Sequence, residues 1–191
     1  MPFEYREAWL TAAVDYFKPD FEVHGYPFHA QVRVTCGWPS RGGLAKKKRA
    51  VGECWSTTAS ADGTNEIFIS PVISDPVEVA SVLVHELVHA TVGTKFGHGK
   101  VFQSLAVKMG LTGPMRSTFP NFQLRERLNA LSQQLGPYPH AKLDARSRKK
   151  QGTRLLQCVC PACGYLVRIT QKWIDKGLPV CPCGISLVQK P

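Results

Sequence analysis

The segment 75–92 constrains the fold more than any other part of the chain, because it has the pattern of a buried helix. Asp75 is a suitable N-cap, Pro76 would occupy the first helical position, and Glu78 has capping-box spacing. The residues that follow are apolar on almost every side, which is typical of a helix inside a core. A His-Glu-Leu-Val-His sequence at residues 85–89 interrupts this apolar run at its middle.

The two histidines of this sequence are four positions apart. His85 and His89 would therefore lie on one helical face, one turn apart, and could bind the same metal ion. Glu86 would stand beside a water molecule on that ion and act as a general base. Burial of these side chains without a partner would be unfavourable, which favours a zinc site. A chance match and a buried His–Glu hydrogen bond are the alternatives.

A catalytic zinc site has three protein ligands, so one ligand must come from outside the helix. His98 is the best candidate, because nearby glycines let the chain turn back toward the helix: Gly93, Gly97 and Gly99. Glu126 and His140 are its rivals, and an exposed loop histidine is the alternative for His98 itself. The predicted ligands of the catalytic zinc are therefore His85, His89 and His98.

Five of the seven cysteines lie in the last 34 residues, a pattern that favours metal binding over disulfides. Cys160 and Cys163 flank one tight turn, Cys181 and Cys183 flank another, and a glycine follows each pair. Four thiolates from two turns form the structural zinc site of a zinc ribbon. The second pair is separated by one residue rather than two, and Cys158 could replace a neighbour. A set of buried or disulfide-bonded cysteines is the alternative.

The charge of the chain favours a polyanionic partner such as DNA. Lysine and arginine outnumber aspartate and glutamate by 24 to 14, which gives a net charge of +10. Two basic runs supply the candidate phosphate contacts: Lys46, Lys47, Lys48 and Arg49, and Arg146, Arg148, Lys149 and Lys150. Tyr165 and Trp173 are candidate base-stacking groups, although a core position is the more usual one for Trp173. A solvated basic face is the alternative for each run.

The chain divides by pattern into a first domain at 1–141, a basic linker at 142–154 and the cysteine module at 155–191. Helices are predicted at four places: 4–17, 75–92, 101–110 and 122–135. Short strands are predicted between the first two of these helices. The first residues lack the apolar stretch of a secretory signal, and no apolar run reaches the roughly 20 residues of a membrane helix. We therefore expect a cytoplasmic protein without a membrane partner, which would be associated with the nucleoid if it binds DNA. The sequence does not predict its oligomeric state.

Residues 83–90 and the Gly-His-Gly sequence at 97–99 together resemble the SprT-like zinc metalloproteases, a family that includes Spartan. The strand segments before the helix and the C-terminal cysteines resemble SprT-like proteins of actinobacteria and their phages. The resemblance covers most of the chain and is strongest at the metal motif. It implies a catalytic glutamate at Glu86 and three zinc ligands: His85, His89 and His98.

The same resemblance implies an α+β fold, with a small zincin-type domain, a twisted sheet packed on helices, followed by a zinc ribbon. Such folds bind extended substrate at an edge strand, for which residues 67–70 are the local candidate. Met115 would underlie the metal in a methionine turn, or is an ordinary core residue. Tyr138 and His140 are candidate donors to the oxyanion, or turn residues next to prolines.

These features lead us to expect an intracellular zinc endopeptidase with one catalytic and one structural Zn²⁺. Its expected substrates are proteins associated with DNA or cross-linked to it. The alternative is a nucleic-acid-binding or transcription-associated zinc-ribbon protein with a latent metalloprotease centre. A small-molecule metallohydrolase is a weaker third interpretation, because this motif on a helix usually serves peptide bonds.

Overall fold

The structure, a computed structural model, describes residues 3–145, 147 and 155–190. These residues confirm the predicted α+β class, and the chain divides into two compact units, Met1–Ala145 and Arg146–Pro191. Most of the predicted linker, at 146 and 148–154, lies outside the described residues. None of the helices in the described part has the length and apolar character that a membrane span requires.

Four helices and five strands form the regular structure described in the first unit. The helices are α1 (Arg6–Val23), α2 (Pro76–Val92), α3 (Lys100–Lys108) and α4 (Phe122–Leu135). The strands are β1 (Val32–Cys36), β2 (Gly52–Trp55), β3 (Asn65–Ile69), β4 (Leu111–Thr112) and β5 (Phe119–Pro120). The hydrophobic periodicity of the sequence therefore located all four helices of this unit correctly.

The main sheet of the first unit has the strand order β1-β3-β2. β3 pairs in parallel with β1 and antiparallel with β2, so that Val34 and Cys54 flank Ile67 on its two sides. The prediction of an edge strand at residues 67–70 is wrong, because β3 is the central strand. Strand order depends on pairing between distant segments, which the residues of one strand do not encode. The edge strand on the antiparallel side is β2.

Helix α1 extends to Val23, although the sequence predicted its end before Pro19. Proline lacks the N–H that would donate to the preceding turn, so the helix loses a hydrogen bond at this position. Phe21, beyond the proline, is fully buried and packs on Phe28 with ring centroids 5.0 Å apart. The burial of Phe21 offsets the lost hydrogen bond and keeps the last turn helical.

Helix α2 lies at the centre of the unit and packs against α1, α3, α4, β2 and β3. It begins as predicted, with the Asp75 side chain accepting a hydrogen bond from the Glu78 N–H at 2.8 Å. It ends before Gly93, whose φ of 96° is one that side-chain-bearing residues rarely adopt. Its buried side chains are Val79, Ala80, Leu83, Val84, Glu86, Leu87, Val88 and His89.

The segment that follows α4 folds back onto α1 and onto the residues after β3. The indole N–H of Trp9 donates to the carbonyl of Gly136 at 3.1 Å, and its ring meets the buried Tyr138 ring edge-on at 5.2 Å. Nε2 of His140 lies 2.9 Å from the carbonyl oxygen of Pro71. These contacts tie the end of the unit to its first helix.

The second unit is a small antiparallel sheet with the strand order β7-β6-β8. Its elements are β6 (Leu155–Val159), β7 (Leu166–Thr170), the short helix α5 (Gln171–Ile174) and β8 (Val188–Gln189). Four residues form its buried core: Cys158, Cys160, Cys181 and Leu187. A core of this size supplies little folding free energy, so the unit needs a further source of stability.

Candidate metal centres

Three histidines converge at one point of the first unit. His85 and His89 lie one turn apart on α2, and His98 lies in the loop before α3. Gly93 and Gly97 have positive φ angles of 96° and 51°, which allow the sharp return of the chain toward the helix. The structure thus brings together the three histidines that the sequence singled out.

The three Nε2 atoms are spaced like the ligands of one ion. Nε2 of His98 lies 3.1 Å from Nε2 of His85 and 3.2 Å from Nε2 of His89. Nitrogen atoms bound tetrahedrally at about 2.0–2.1 Å from zinc would be about 3.3 Å apart. The three ligand atoms all lie within 4.8 Å of one another, so the group could hold a metal ion.

Burial keeps these histidines in the neutral form that binds a metal. Desolvation, with the nearby His98, lowers the pKa of His85 to about 4. Desolvation, with both neighbouring histidines, lowers the pKa of His89 to about 3. Desolvation also lowers the pKa of His98, and the positive charge of Arg116 adds to this effect. Each imidazole therefore has a free nitrogen lone pair at neutral pH.

Two side chains from outside α2 hold the histidine rings. The ring of Phe102, on α3, contacts all three and comes closest to His89, with centroids 4.3 Å apart. The hydroxyl oxygen of Thr118, beside β5, lies 2.8 Å from Nδ1 of His85. Nδ1 of His89 is buried and has no partner among the described residues. Sequence analysis did not single out Thr118, because nothing in its local pattern links it to the helix.

Glu86 is buried next to the histidines, where α2 packs against β2. Desolvation, and then the charge of Glu53, raises the pKa of Glu86 to about 8. The strand leaves room for this side chain at Gly52: a Cβ there would lie 2.9 Å from Cδ of Glu86 and 2.7 Å from Cγ1 of Val82. Gly52 thus allows the close approach of β2 that encloses the Glu86 carboxyl.

The cluster opens into a cavity of about 760 Å³. The cavity is lined by the three histidines and Glu86, by residues of β2, and by the end of the hairpin that joins β4 to β5. Three arginines from separate elements also line it: Arg49, Arg116 and Arg125. Sequence analysis included Arg49 in a basic run and did not single out the other two, which become neighbours only through the fold.

The remaining candidates for this site do not line the cavity. Glu126 and His140, the rival ligands, lie elsewhere, and His140 instead contacts the carbonyl of Pro71. Tyr138 is buried against Trp9, and neither Tyr138 nor His140 lines the cavity, which matches the alternative of turn residues next to prolines. Met115 is half-buried and packs on the hydrophobic core, which matches the alternative of an ordinary core residue.

The second unit brings four cysteines together. The Sγ atoms of Cys163 and Cys181 are 3.4 Å apart, and those of Cys160 and Cys183 are 3.6 Å apart. Thiolates bound tetrahedrally at about 2.3 Å from zinc would be about 3.8 Å apart. The backbone N–H of Cys163 lowers the pKa of Cys160 and so favours its thiolate. Cys158 lies in the core of the unit, outside this group.

The candidate nucleic-acid contacts are described only in part. The lysines of the first run, Lys46, Lys47 and Lys48, are exposed, whereas Arg49 is half-buried and its Nε donates to the carbonyl of Ala45 at 3.2 Å. The second run, Arg146, Arg148, Lys149 and Lys150, lies outside the described residues. Tyr165 is 48% exposed and Trp173 55% exposed, so the expectation of a core position for Trp173 is wrong.

Comparisons of the chain with protein-family models, with curated proteins and with solved structures give no match. The capacity of the two clusters to bind a metal ion therefore rests on the spacing and burial of their own ligand atoms.

We expect the purified chain to contain two zinc ions, because its two clusters use separate ligand sets. His98→Ala should lose one ion and Cys163→Ala the other, as measured by elemental analysis of the intact chain. His29→Ala and Cys36→Ala, which change a histidine and a cysteine outside both clusters, should retain two. A chain that keeps two ions in both ligand variants would contradict these assignments.

Gly52→Ala should lower the free energy of unfolding by about 1–3 kcal/mol, because its Cβ overpacks the contact with α2. Adding Val82→Ala removes the contact with Val82 and leaves the contact with Glu86. The double variant should therefore be less destabilised than the sum of the two single variants, in urea unfolding of each chain. Wild-type stability of Gly52→Ala alone would show that β2 does not enclose Glu86 as described.

Proposed function

We propose that this chain is a zinc-dependent endopeptidase of the SprT-like kind, with a zincin-type first unit and a zinc ribbon as its second. The observation that carries the proposal is the placement of Glu86 beside three convergent histidines, all four lining one open cavity. Three neutral nitrogen ligands form the open type of zinc site, which leaves a position for water or substrate. A buried carboxyl next to such a site is the usual general base of peptide hydrolysis.

The cavity suits an extended polypeptide. β2 borders it with Gly52, Glu53 and Cys54, and among the described residues it pairs with β3 on one side only. The other edge of β2 offers backbone N–H and C=O groups, to which a substrate strand could add. Main-chain pairing of this kind binds many sequences, because it recognises the backbone rather than particular side chains. It therefore supports a protein substrate over a small molecule.

The proposed chemistry divides between the metal and the protein. When bound, zinc would polarise the substrate carbonyl and lower the pKa of a water molecule. The Glu86 carboxylate would accept a proton from the attacking water and pass it to the leaving amine, as one general base and acid. Burial raises the pKa of Glu86, so this carboxyl holds a proton more readily than an exposed glutamate. Arg116, whose side chain lines the cavity, is the candidate for balancing negative charge on the carbonyl oxygen.

We further propose that the substrates are proteins associated with DNA or cross-linked to it. The exposed lysines at 46–48 precede Arg49, which lines the cavity, so a polyanion bound there would lie near the substrate. In the second unit, Trp173 is exposed, and Nζ of Lys172 lies 5.3 Å from the centroid of its ring. Exposed aromatic rings beside cations are the usual stacking groups for single-stranded bases.

A second candidate is a nucleic-acid-binding zinc-ribbon protein whose metalloprotease centre is latent. The exposure of Tyr165 and Trp173 favours this function as much as it favours the first. The two candidates differ in turnover. Metal-dependent cleavage by a chain ending at residue 152 would support the peptidase, and DNA binding by the full chain without any cleavage would support the binding protein.

Glu86→Gln should abolish cleavage while leaving two zinc ions bound, because Glu86 is outside the ligand set. We expect a fall in rate of at least about 100-fold, the usual loss when a general base is removed. The measurement is degradation of a DNA-binding protein by the full chain, with and without DNA. Glu78→Gln is the matched control, since Glu78 lies on the same helix and lines the same cavity. Wild-type turnover by Glu86→Gln would overturn the assigned base.

DNA binding should weaken steeply as salt increases, because each phosphate contact releases counterions. Replacing Lys46, Lys47 and Lys48 with glutamine should flatten the dependence of log affinity on log salt by up to about 2, at about 0.7 per contact with a single strand. Lys18→Gln, which removes an exposed lysine of α1, is the control and should leave the slope unchanged. If the full chain shows no affinity for DNA at low salt, the basic residues are only a solvated surface.

A further inference from the structure

The hairpin between β4 and β5 presents one hydroxyl to the histidine cluster. The Oγ1 atom of Thr118 lies 2.8 Å from Nδ1 of His85, and both side chains are half-buried. The two residues are 33 positions apart in the chain and belong to different elements. Their contact therefore exists only because the hairpin packs beside α2.

The hairpin has a defined conformation that fixes the place of this hydroxyl. β4 and β5 pair at Thr112 and Phe119, and the Thr112 hydroxyl donates to the Phe119 carbonyl at 3.1 Å. The Ser117 N–H donates to the Pro114 carbonyl at 2.8 Å and closes the turn. A threonine held by such a turn loses little freedom when its hydroxyl forms a further hydrogen bond.

The contact with Thr118 determines which nitrogen of His85 is free to bind a metal ion. A neutral imidazole has one N–H and one free lone pair. Nε2 of His85 points at the other two histidines, 3.1 Å from Nε2 of His98. If the Nδ1–H donates to Thr118, Nε2 keeps its lone pair directed at the centre of the cluster.

The other helical ligand has no comparable partner. Nδ1 of His89 is buried, with no hydrogen-bond partner among the described residues, and its ring is held by the Phe102 ring at 4.3 Å. Packing restricts the tilt of a ring and does not select a tautomer. Within the described part of the first unit, Phe102 therefore packs on both histidines of α2, and His85 has in addition a hydrogen-bond partner at Nδ1.

We propose that Thr118 is a positioning residue for the metal ligand His85. Its hydroxyl accepts a hydrogen bond from the Nδ1–H, selects the tautomer with a free Nε2, and orients the ring toward the metal. The proposal rests on the metal centre of the proposed function and does not require peptide cleavage. It assigns to the hairpin a direct part in metal affinity, in addition to its place in the cavity wall.

The test is the affinity of the full-length chain for Co²⁺ at the histidine cluster, measured against a competing chelator. Thr118→Val keeps the shape of the side chain and removes the hydroxyl. We expect it to bind Co²⁺ about 10- to 100-fold more weakly at the histidines, the usual effect of losing such a partner. Thr118→Ser should restore the affinity. Binding at the four cysteines, which has its own thiolate absorption, should stay unchanged and serves as an internal reference.

Thr112→Val is the matched control, because it removes a hydroxyl from the same hairpin that does not contact a histidine. It should leave Co²⁺ affinity at the histidines unchanged. Equal affinity and equal cobalt spectra in Thr118→Val and wild type would overturn the proposal. An equal loss of affinity in Thr112→Val would also overturn it, because the effect would then belong to hairpin stability.

A measurement on the wild-type chain is independent of how the variants fold. Nitrogen NMR of the zinc-loaded chain should show His85 protonated at Nδ1, and protonation at Nε2 would overturn the proposal. If the wild-type chain binds no ion at the histidines, the metal centre and the role of Thr118 both fail. If it binds the ion and does not cleave protein, only the peptidase function fails, and the comparison of Thr118 variants still decides their role.

Discussion

The structure of the first unit depends on placing two histidines and a glutamate in the middle of an apolar helix, where His89 and Glu86 are buried and His85 is half-buried. Polar side chains in such a setting need partners, because burial without them is unfavourable by several kcal/mol. Three neighbouring segments contact these residues: the loop before α3 through His98, α3 through Phe102, and the β4–β5 hairpin through Thr118. The fold around the helix thus brings a third histidine to His85 and His89 and gives His85 a hydrogen-bond partner at Nδ1, while Nδ1 of His89 has none among the described residues.

The local signals of the sequence located the four helices of the first unit, apart from the end of α1, and both clusters. Asp75 and Pro76 marked the start of α2, and its apolar character predicted its central position. Helix geometry alone places the two histidines of α2 on one face, because they are four residues apart. The glycines at 93 and 97 indicated a return of the chain toward the helix. The two Cys-Gly turns of the second unit are equally local. Each of these features is encoded within a window of about 20 residues.

Several features that the sequence did not predict depend on contacts between distant segments. The order β1-β3-β2 follows from which strands pair, so the edge strand could not be read from the residues at 67–70. Arg116 and Thr118 reach the cluster only because a short hairpin packs beside α2. The burial of Phe21 overrode the helix-ending signal of Pro19. A core position was the more usual expectation for Trp173, because large aromatic residues are usually buried, whereas the second unit is too small to cover it.

Gly52 has a consequence for how the chain can vary. Side chains alternate between the two faces of a strand, so moving β2 by one residue would turn the Glu53 side chain toward α2 in place of a hydrogen atom. The register of β2 against β3 therefore determines whether the Glu86 carboxyl has room, in addition to its effect on the stability of the sheet. An insertion or deletion within β2 itself would shift this register and bring a side chain against Glu86, so the length of β2 is constrained by the carboxyl as well as by the sheet.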